Sequence, residues 1–71
     1  MDMRLFEYTA EIYRKGSFTK AADSLHIAQP SLSQQIKKLE GELGFPLFHR
    51  KRGAVSPTPQ GMRFIQRAQD I

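Results

Sequence analysis

The sequence predicts a mainly α fold of the winged helix-turn-helix class: three helices, a short β-hairpin wing and the start of a further C-terminal helix. Three observations point there. Apolar residues recur at helical spacing in three successive stretches, and the second and third are joined only by His26-Ile27-Ala28. Two short apolar-bearing pieces then flank a basic turn that contains Gly53. After them, Thr58-Pro59 is a cap followed by a first-turn proline, the signature of a helix start.

The first helix is expected over residues 4–15. Leu5, Tyr8, Thr9 and Ile12 share one side, flanked by Phe6 and Tyr13, while Glu7, Glu11 and Arg14 are expected on the solvent side. Gly16 tolerates positive φ and stops it. Ser17 is placed to cap a short second helix whose apolar residues Phe18, Ala21, Ala22 and Leu25 follow the i, i+3, i+4, i+7 rule. The paired alanines let a neighbouring helix approach closely.

The third helix opens at Gln29-Pro30, where proline in the first turn costs least, and runs to Leu43 before Gly44 ends it. Leu32, Ile36, Leu39 and Leu43 form its core stripe. Pro30, Gln34, Lys37, Lys38 and Gly41 lie opposite, with Gln29 and Ser33 on the flank between. Phe45 to Arg50 and Ala54 to Pro57 are the expected strands, with Lys51-Arg52-Gly53 as the turn. Pro57 ends the second strand or sets it at an edge. The last helix carries Phe64, Ile65 and Ala68 as an apolar stripe for which the rest of the chain offers no obvious cover.

Length and composition bound the function. Seventy-one residues make one small domain with a modest core and no interior room for a ligand cavity of ordinary size. The absence of cysteine removes disulfide and thiolate-zinc chemistry. His26 and His49 are lone imidazoles without a third ligand, so neither a metal nor a cofactor is expected. No Gly-rich phosphate loop or paired carboxylates appear, and enzyme activity is not expected. Met1-Asp2-Met3-Arg4 does not open a signal peptide, and no apolar run approaches the ~20 residues of a membrane span, so a cytoplasmic protein is expected.

Charge is distributed unevenly. The net charge is +4. The cations and acids of residues 1–42 cancel, whereas residues 43–71 hold Arg50, Lys51, Arg52, Arg63 and Arg67 against Asp70 alone. A focused basic segment on a neutral domain suits a polyanion.

Two helices scaffolding a third with a polar, cationic outer face, followed by a basic wing, suit double-stranded DNA. The helix fits the major groove, its N-terminal residues nearest the base edges. Gln34 and Gln29 can pair bidentately with adenine, Ser31 and Ser33 can bond bases or phosphates, and Lys37 reaches phosphate or guanine. Pro30 presents an apolar surface to a thymine methyl. From Gln29 to Leu39 the helix carries no acid; Glu40 and Glu42 come only at its far end, where they are expected to sit away from the groove. On the wing, Arg50, Lys51 and Arg52 are placed to straddle phosphates or enter a narrow minor groove. A winged-helix module that binds protein through the last helix is the alternative, distinguished by weak and sequence-indifferent DNA affinity. Single-stranded RNA binding lacks the exposed aromatic pairs it requires.

The run from Gly16 through Ser33, Gly-Ser-Phe-Thr-Lys-Ala-Ala-Asp-Ser-Leu-His-Ile-Ala-Gln-Pro-Ser-Leu-Ser, resembles the start of a LysR-type transcriptional regulator. So do Ile36-Lys37-Lys38-Leu39-Glu40, Leu43 to Arg50 and Thr58-Pro59-Gln60-Gly61. The resemblance covers essentially the whole chain. It implies a bacterial regulator in which residues 1–57 form the DNA-binding domain and 58–71 begin a linker helix that pairs two chains as a homodimer on an interrupted dyad. On that resemblance, Gln29, Pro30, Ser31, Ser33, Gln34 and Lys37 face the groove, and Phe64, Ile65 and Ala68 face a partner. Many members of the family carry arginine where Gln34 stands, which shifts the expected preference from guanine to adenine. The family's wing arginine often falls where this chain has Gly53, with Arg52 as its substitute. The family's small-molecule effector domain begins where this chain ends.

Overall fold

The computed structural model of the protein describes residues 3–51 and 54–69, the last two by backbone alone. Its elements follow in the order α1 (Met3–Lys15), α2 (Phe18–Leu25), α3 (Gln29–Leu43), β1 (Phe48–Lys51), β2 (Ala54–Pro57) and α4 (Pro59–Gln69). The two strands pair antiparallel, with Phe48 opposite Pro57, His49 opposite Ser56, Arg50 opposite Val55 and Lys51 opposite Ala54. The winged helix-turn-helix is thus present in its expected order. Arg52 and Gly53, at the tip of the wing, lie outside the described residues.

Helix boundaries follow local chemistry. Gly16 takes φ 65° and returns its N–H to the Ile12 carbonyl at 2.8 Å, closing α1. The Ser17 hydroxyl accepts from the Lys20 N–H at 3.1 Å and caps α2. Its other end is capped by His26, the one non-glycine positive φ (59°) among the described residues. There the His26 and Ile27 amides return to the Asp23 and Ala22 carbonyls at 3.2 and 3.0 Å, so the turn needs only three residues. Gly44, at φ 84°, closes α3.

The core is built from one stripe of each helix. Tyr8, Ile12, Phe18, Ala21, Ala22, Leu32, Ile36, Leu39, Leu47, Phe48 and Ile65 form a single buried cluster. The alanine pair of α2 sits within it, where larger side chains would hold α1 and α3 apart. At ~1.5 Å per residue the fifteen residues of α3 span about 22 Å, close to the full width of a domain measuring 25 × 24 × 21 Å.

Three expectations are corrected. Glu11 is not on the solvent side: it is 6% exposed. Its carboxylate accepts from the Ser24 hydroxyl on α2 and from Arg14, so a buried charge is paired and crosses between helices. Secondly, β1 begins at Phe48 instead of Phe45. Pro46 has no N–H to give a ladder, and both backbone groups of Leu47 are engaged elsewhere. Thirdly, Ile65 does not sit on an open pairing face but is 1% exposed in the core, and Phe64 stacks on Phe6 of α1 with ring centroids 5.0 Å apart. The last helix is therefore covered on one side by this chain itself. The Ala68 side chain is outside the described residues.

Leu47 and the start of α4 are locked together. Thr58 N–H donates to the Leu47 carbonyl at 3.0 Å, and the Thr58 hydroxyl bonds the Pro46 carbonyl at 2.7 Å while accepting from the Gly61 N–H at 2.8 Å. A β-carbon on Gly61 would stand 2.0 Å from the Leu47 carbonyl oxygen. Gly61→Ala should therefore destabilise by about 1–3 kcal/mol in urea unfolding. An unobstructed helical glycine would instead gain about 1 kcal/mol from the same change, and a gain would contradict this packing.

The Glu11 carboxyl is held below its ordinary value of 4.5, chiefly by the Ser24 hydrogen bond, against an opposing desolvation effect, with further help from Arg14 and Lys15. A depressed carboxyl stabilises the fold above its unfolded-state pKa and loses that contribution as pH falls through the lower folded value. Unfolding followed from pH 6 down to pH 2 should thus show stability falling below about pH 4.5. Glu11→Gln should flatten that decline, and a variant that declines as steeply as the parent would remove Glu11 as its source.

Candidate nucleic-acid interface

The outward face of α3 follows from how its inward face is held. Leu32, Ile36 and Leu39 are almost fully buried against α1 and α2, which fixes the rotation of the helix about its axis. Pro30, Ser31, Gln34, Lys37 and Lys38 are consequently exposed, and Gln29 and Ser33 are half-buried at the edge of the stripe. Ala28 provides no side-chain cap to the helix N-terminus.

The wing lies beside this face because of two ties. Val55 N–H donates to the Gly16 carbonyl at 3.3 Å. Leu47 N–H donates to the Glu40 carboxylate at 2.6 Å, fastening the segment before β1 to the last turns of α3. Glu40 lines a shallow depression on the protein surface between α3 and β1, together with Ser33, Gln34, Lys37 and Arg50. Its position is explained by the Leu47 amide, which takes one of its oxygens.

Strand alternation divides the basic run. Side chains two apart on a strand share a face, so Arg50 lies on the same side as buried Phe48 while His49 and Lys51 face out. The Arg50 guanidinium carbon sits 3.7 Å from the centroid of the Phe18 ring. Phe48 packs edge-on against that same ring with centroids 6.0 Å apart and an interplanar angle of 79°. Beyond the ring, Arg50 Nη2 reaches Ser33 Oγ at 3.5 Å, and Gln29 Nε2 donates to the same oxygen at 2.8 Å. Arg50, expected as one of three outward phosphate contacts, thus turns toward α3. Lys51 is exposed as expected, and it belongs to β1, not to the turn.

The structure brings Gln29, Ser33, Gln34, Lys37 and Arg50 together along one groove edge, with Pro30 and Ser31 at the N-terminal end of the same helix. Two contributors escaped the sequence reading. Phe18 was assigned to the core alone, although its ring supports Arg50. Glu40 is the other, and only the three-dimensional path of Leu47 reveals it. Along α4 a second open groove is lined by Leu43, Phe45, Gln60, Arg63, Phe64 and Arg67. Among the described residues no group of three or more His, Cys, Asp or Glu is close enough to hold a metal ion. No described helix is long and apolar enough to cross a membrane.

Residues 3–62 match the family described as bacterial regulatory helix-turn-helix protein, lysR family. The chain is 68% identical over 71 residues to the uncharacterized HTH-type transcriptional regulator YcgK of Bacillus subtilis, covering 100% of this chain and 22% of that protein. It is 48% identical over 68 residues to the HTH-type transcriptional regulator BenM of Acinetobacter baylyi, covering 96% of this chain and 22% of BenM. The chain therefore spans about a fifth of the length of these relatives. Among solved structures, the BenM DNA-binding domain in complex with benA site 1 DNA superposes with TM-score 0.94 at 47% identity, covering 99% of this chain and 81% of that one. The CbnR DNA-binding domain in its DNA complex gives TM-score 0.93 at 30% identity, covering 99% and 80%.

Proposed function

Because this chain belongs to the LysR family of bacterial regulatory helix-turn-helix proteins, we propose that it is the sequence-specific DNA-binding domain of a transcriptional regulator that acts in the cytoplasm. The observation that carries the reading is the two-sided character of α3. One face is fixed in the core by Leu32, Ile36 and Leu39, and the other presents Pro30, Ser31, Gln34 and Lys37 to solvent with no acid before Glu40. A helix held this rigidly has the dimensions to enter a major groove, and backbones that superpose on it are found in DNA complexes.

In this reading Gln34 and Gln29 pair with adenine edges, Pro30 meets a thymine methyl, and Ser31 and Lys37 bond phosphate. The open first turn of α3 adds backbone N–H groups and a dipole that favour a phosphate. Lys51, with Arg52 beyond it, follows the adjacent backbone or minor groove. Residues 1–57 form the binding unit, and 58–71 begin a linker helix through which two copies pair on an interrupted dyad. With Ile65 committed to the core, the pairing face narrows to the Phe64 side of α4 and Ala68, next to the groove that Leu43 and Phe45 line. Half-sites would then lie about one helical turn apart or a multiple of it. A small-molecule effector would act through a separate domain of the full regulator.

Gln34→Ala should relax discrimination at one base position by about 1–3 kcal/mol, read as the affinity ratio between the preferred site and its single-base variants. A uniform loss over all sequences would move Gln34 from base to backbone.

A further inference from the structure

Among the described residues that line the groove shared by α3 and β1, Ser33 alone carries a hydroxyl, and its surroundings restrict what it can do. A hydroxyl has one proton to donate and two lone pairs to accept with. Gln29 Nε2 occupies one lone pair at 2.8 Å. Exposed Arg50 brings its Nη2 to 3.5 Å from the same oxygen, at the outer limit of a hydrogen bond. Even at that distance a full positive charge orients the oxygen toward itself and the proton away. Arg50 is not free to swing out of this arrangement without losing the Phe18 ring 3.7 Å from its guanidinium carbon, and that ring is buried and braced by Phe48.

We infer that Ser33 meets DNA as an obligate hydrogen-bond donor, both its acceptor sites being taken from within the domain, and that Arg50 is a positioning residue for base specificity. The inference rests on the proposed reading of α3 as the base-reading helix. Its consequence is a definite polarity. Ser33 favours the acceptor edges of the major groove, which are guanine N7 and O6, adenine N7 and thymine O4, and disfavours the amino group of cytosine. Gln29 is oriented by the same contact: with one amide N–H engaged, it retains its carbonyl oxygen and its second N–H, the pair that adenine requires.

The test compares bound-sequence profiles of the 71-residue chain with those of Ser33→Ala and Arg50→Lys, at one salt concentration, after thermal melting shows that each variant is folded. Ser33→Ala identifies the position that Ser33 reads. Arg50→Lys keeps the charge and therefore the salt dependence, but loses the planar stack on Phe18 and the reach to Ser33. The expected result is a roughly three- to tenfold loss of discrimination against cytosine at the Ser33 position, with other positions unchanged. Replacing a purine there by its 7-deaza analogue, where a purine is preferred, should weaken the parent and leave Ser33→Ala indifferent. An Arg50→Lys profile that drops uniformly while Ser33→Ala flattens one position would overturn the inference and leave base reading by α3 standing. A preference for amino edges at that position would also overturn it, since Ser33 would then be accepting. If Ser33→Ala altered no position, base reading by Ser33 would fail, and the inference with it.

Discussion

Leu47 gives both of its backbone hydrogen-bonding groups to other elements. Its N–H goes to Glu40 near the end of α3, and its carbonyl accepts from the Thr58 amide at the start of α4. Its side chain is fully buried, and Gly61 lies against its carbonyl with no room for a methyl group. Three elements that could otherwise shift independently meet at this one residue: α3, the wing and α4. Hydrogen bonds to a charged carboxylate contribute more than neutral ones, and a buried backbone group left unpaired is costly, so the arrangement has few alternatives. Because Leu47 is fixed, β1 leaves it in a definite direction, and the alternation of the strand then sets buried Phe48 and exposed Arg50 on the Phe18 side.

The proposed interface therefore combines two kinds of residue. Gln34 and Lys37 stand in solvent on a rigid helix and owe their placement to the apolar stripe behind them. Gln29, Ser33 and Arg50 are tied to one another, so their donors and acceptors are partly committed before any partner arrives. Preorganised polar groups lose less side-chain freedom on binding and tolerate fewer partners, the property expected of positions that set specificity over affinity. Lys51 is exposed on the outer face of the wing, where a cation adds affinity for any phosphate backbone whatever its sequence.

Most of the fold could be read from local signals. Gly16, Ser17, Gly44 and Thr58-Pro59 mark helix ends by their own backbone or side-chain chemistry, and each acts so in the structure. The stripe of α3 was legible because 3.6-residue periodicity separates Leu32, Ile36 and Leu39 cleanly from Gln34 and Lys37. What escaped depends on contacts distant in sequence. Glu11 lies toward the polar side of its helix wheel, and its burial follows from a serine thirteen residues away. The placement of exposed Arg50 over Phe18 follows from period-two alternation after Phe48, a signal obscured by treating Arg50, Lys51 and Arg52 as one basic run. The cover over Ile65 comes from the opposite end of the chain, where α4 packs on α1, and no local pattern announces it.

In the proposed function, specificity rests on base reading by a helix whose orientation the core dictates. Selecting bound duplexes from a random DNA pool at physiological salt tests that claim most directly. It predicts enrichment of a defined motif with adenine-containing positions, bound at least ~10³-fold more tightly than unrelated DNA. Recovery of an unenriched pool, bound with an affinity that depends on salt alone, would contradict it.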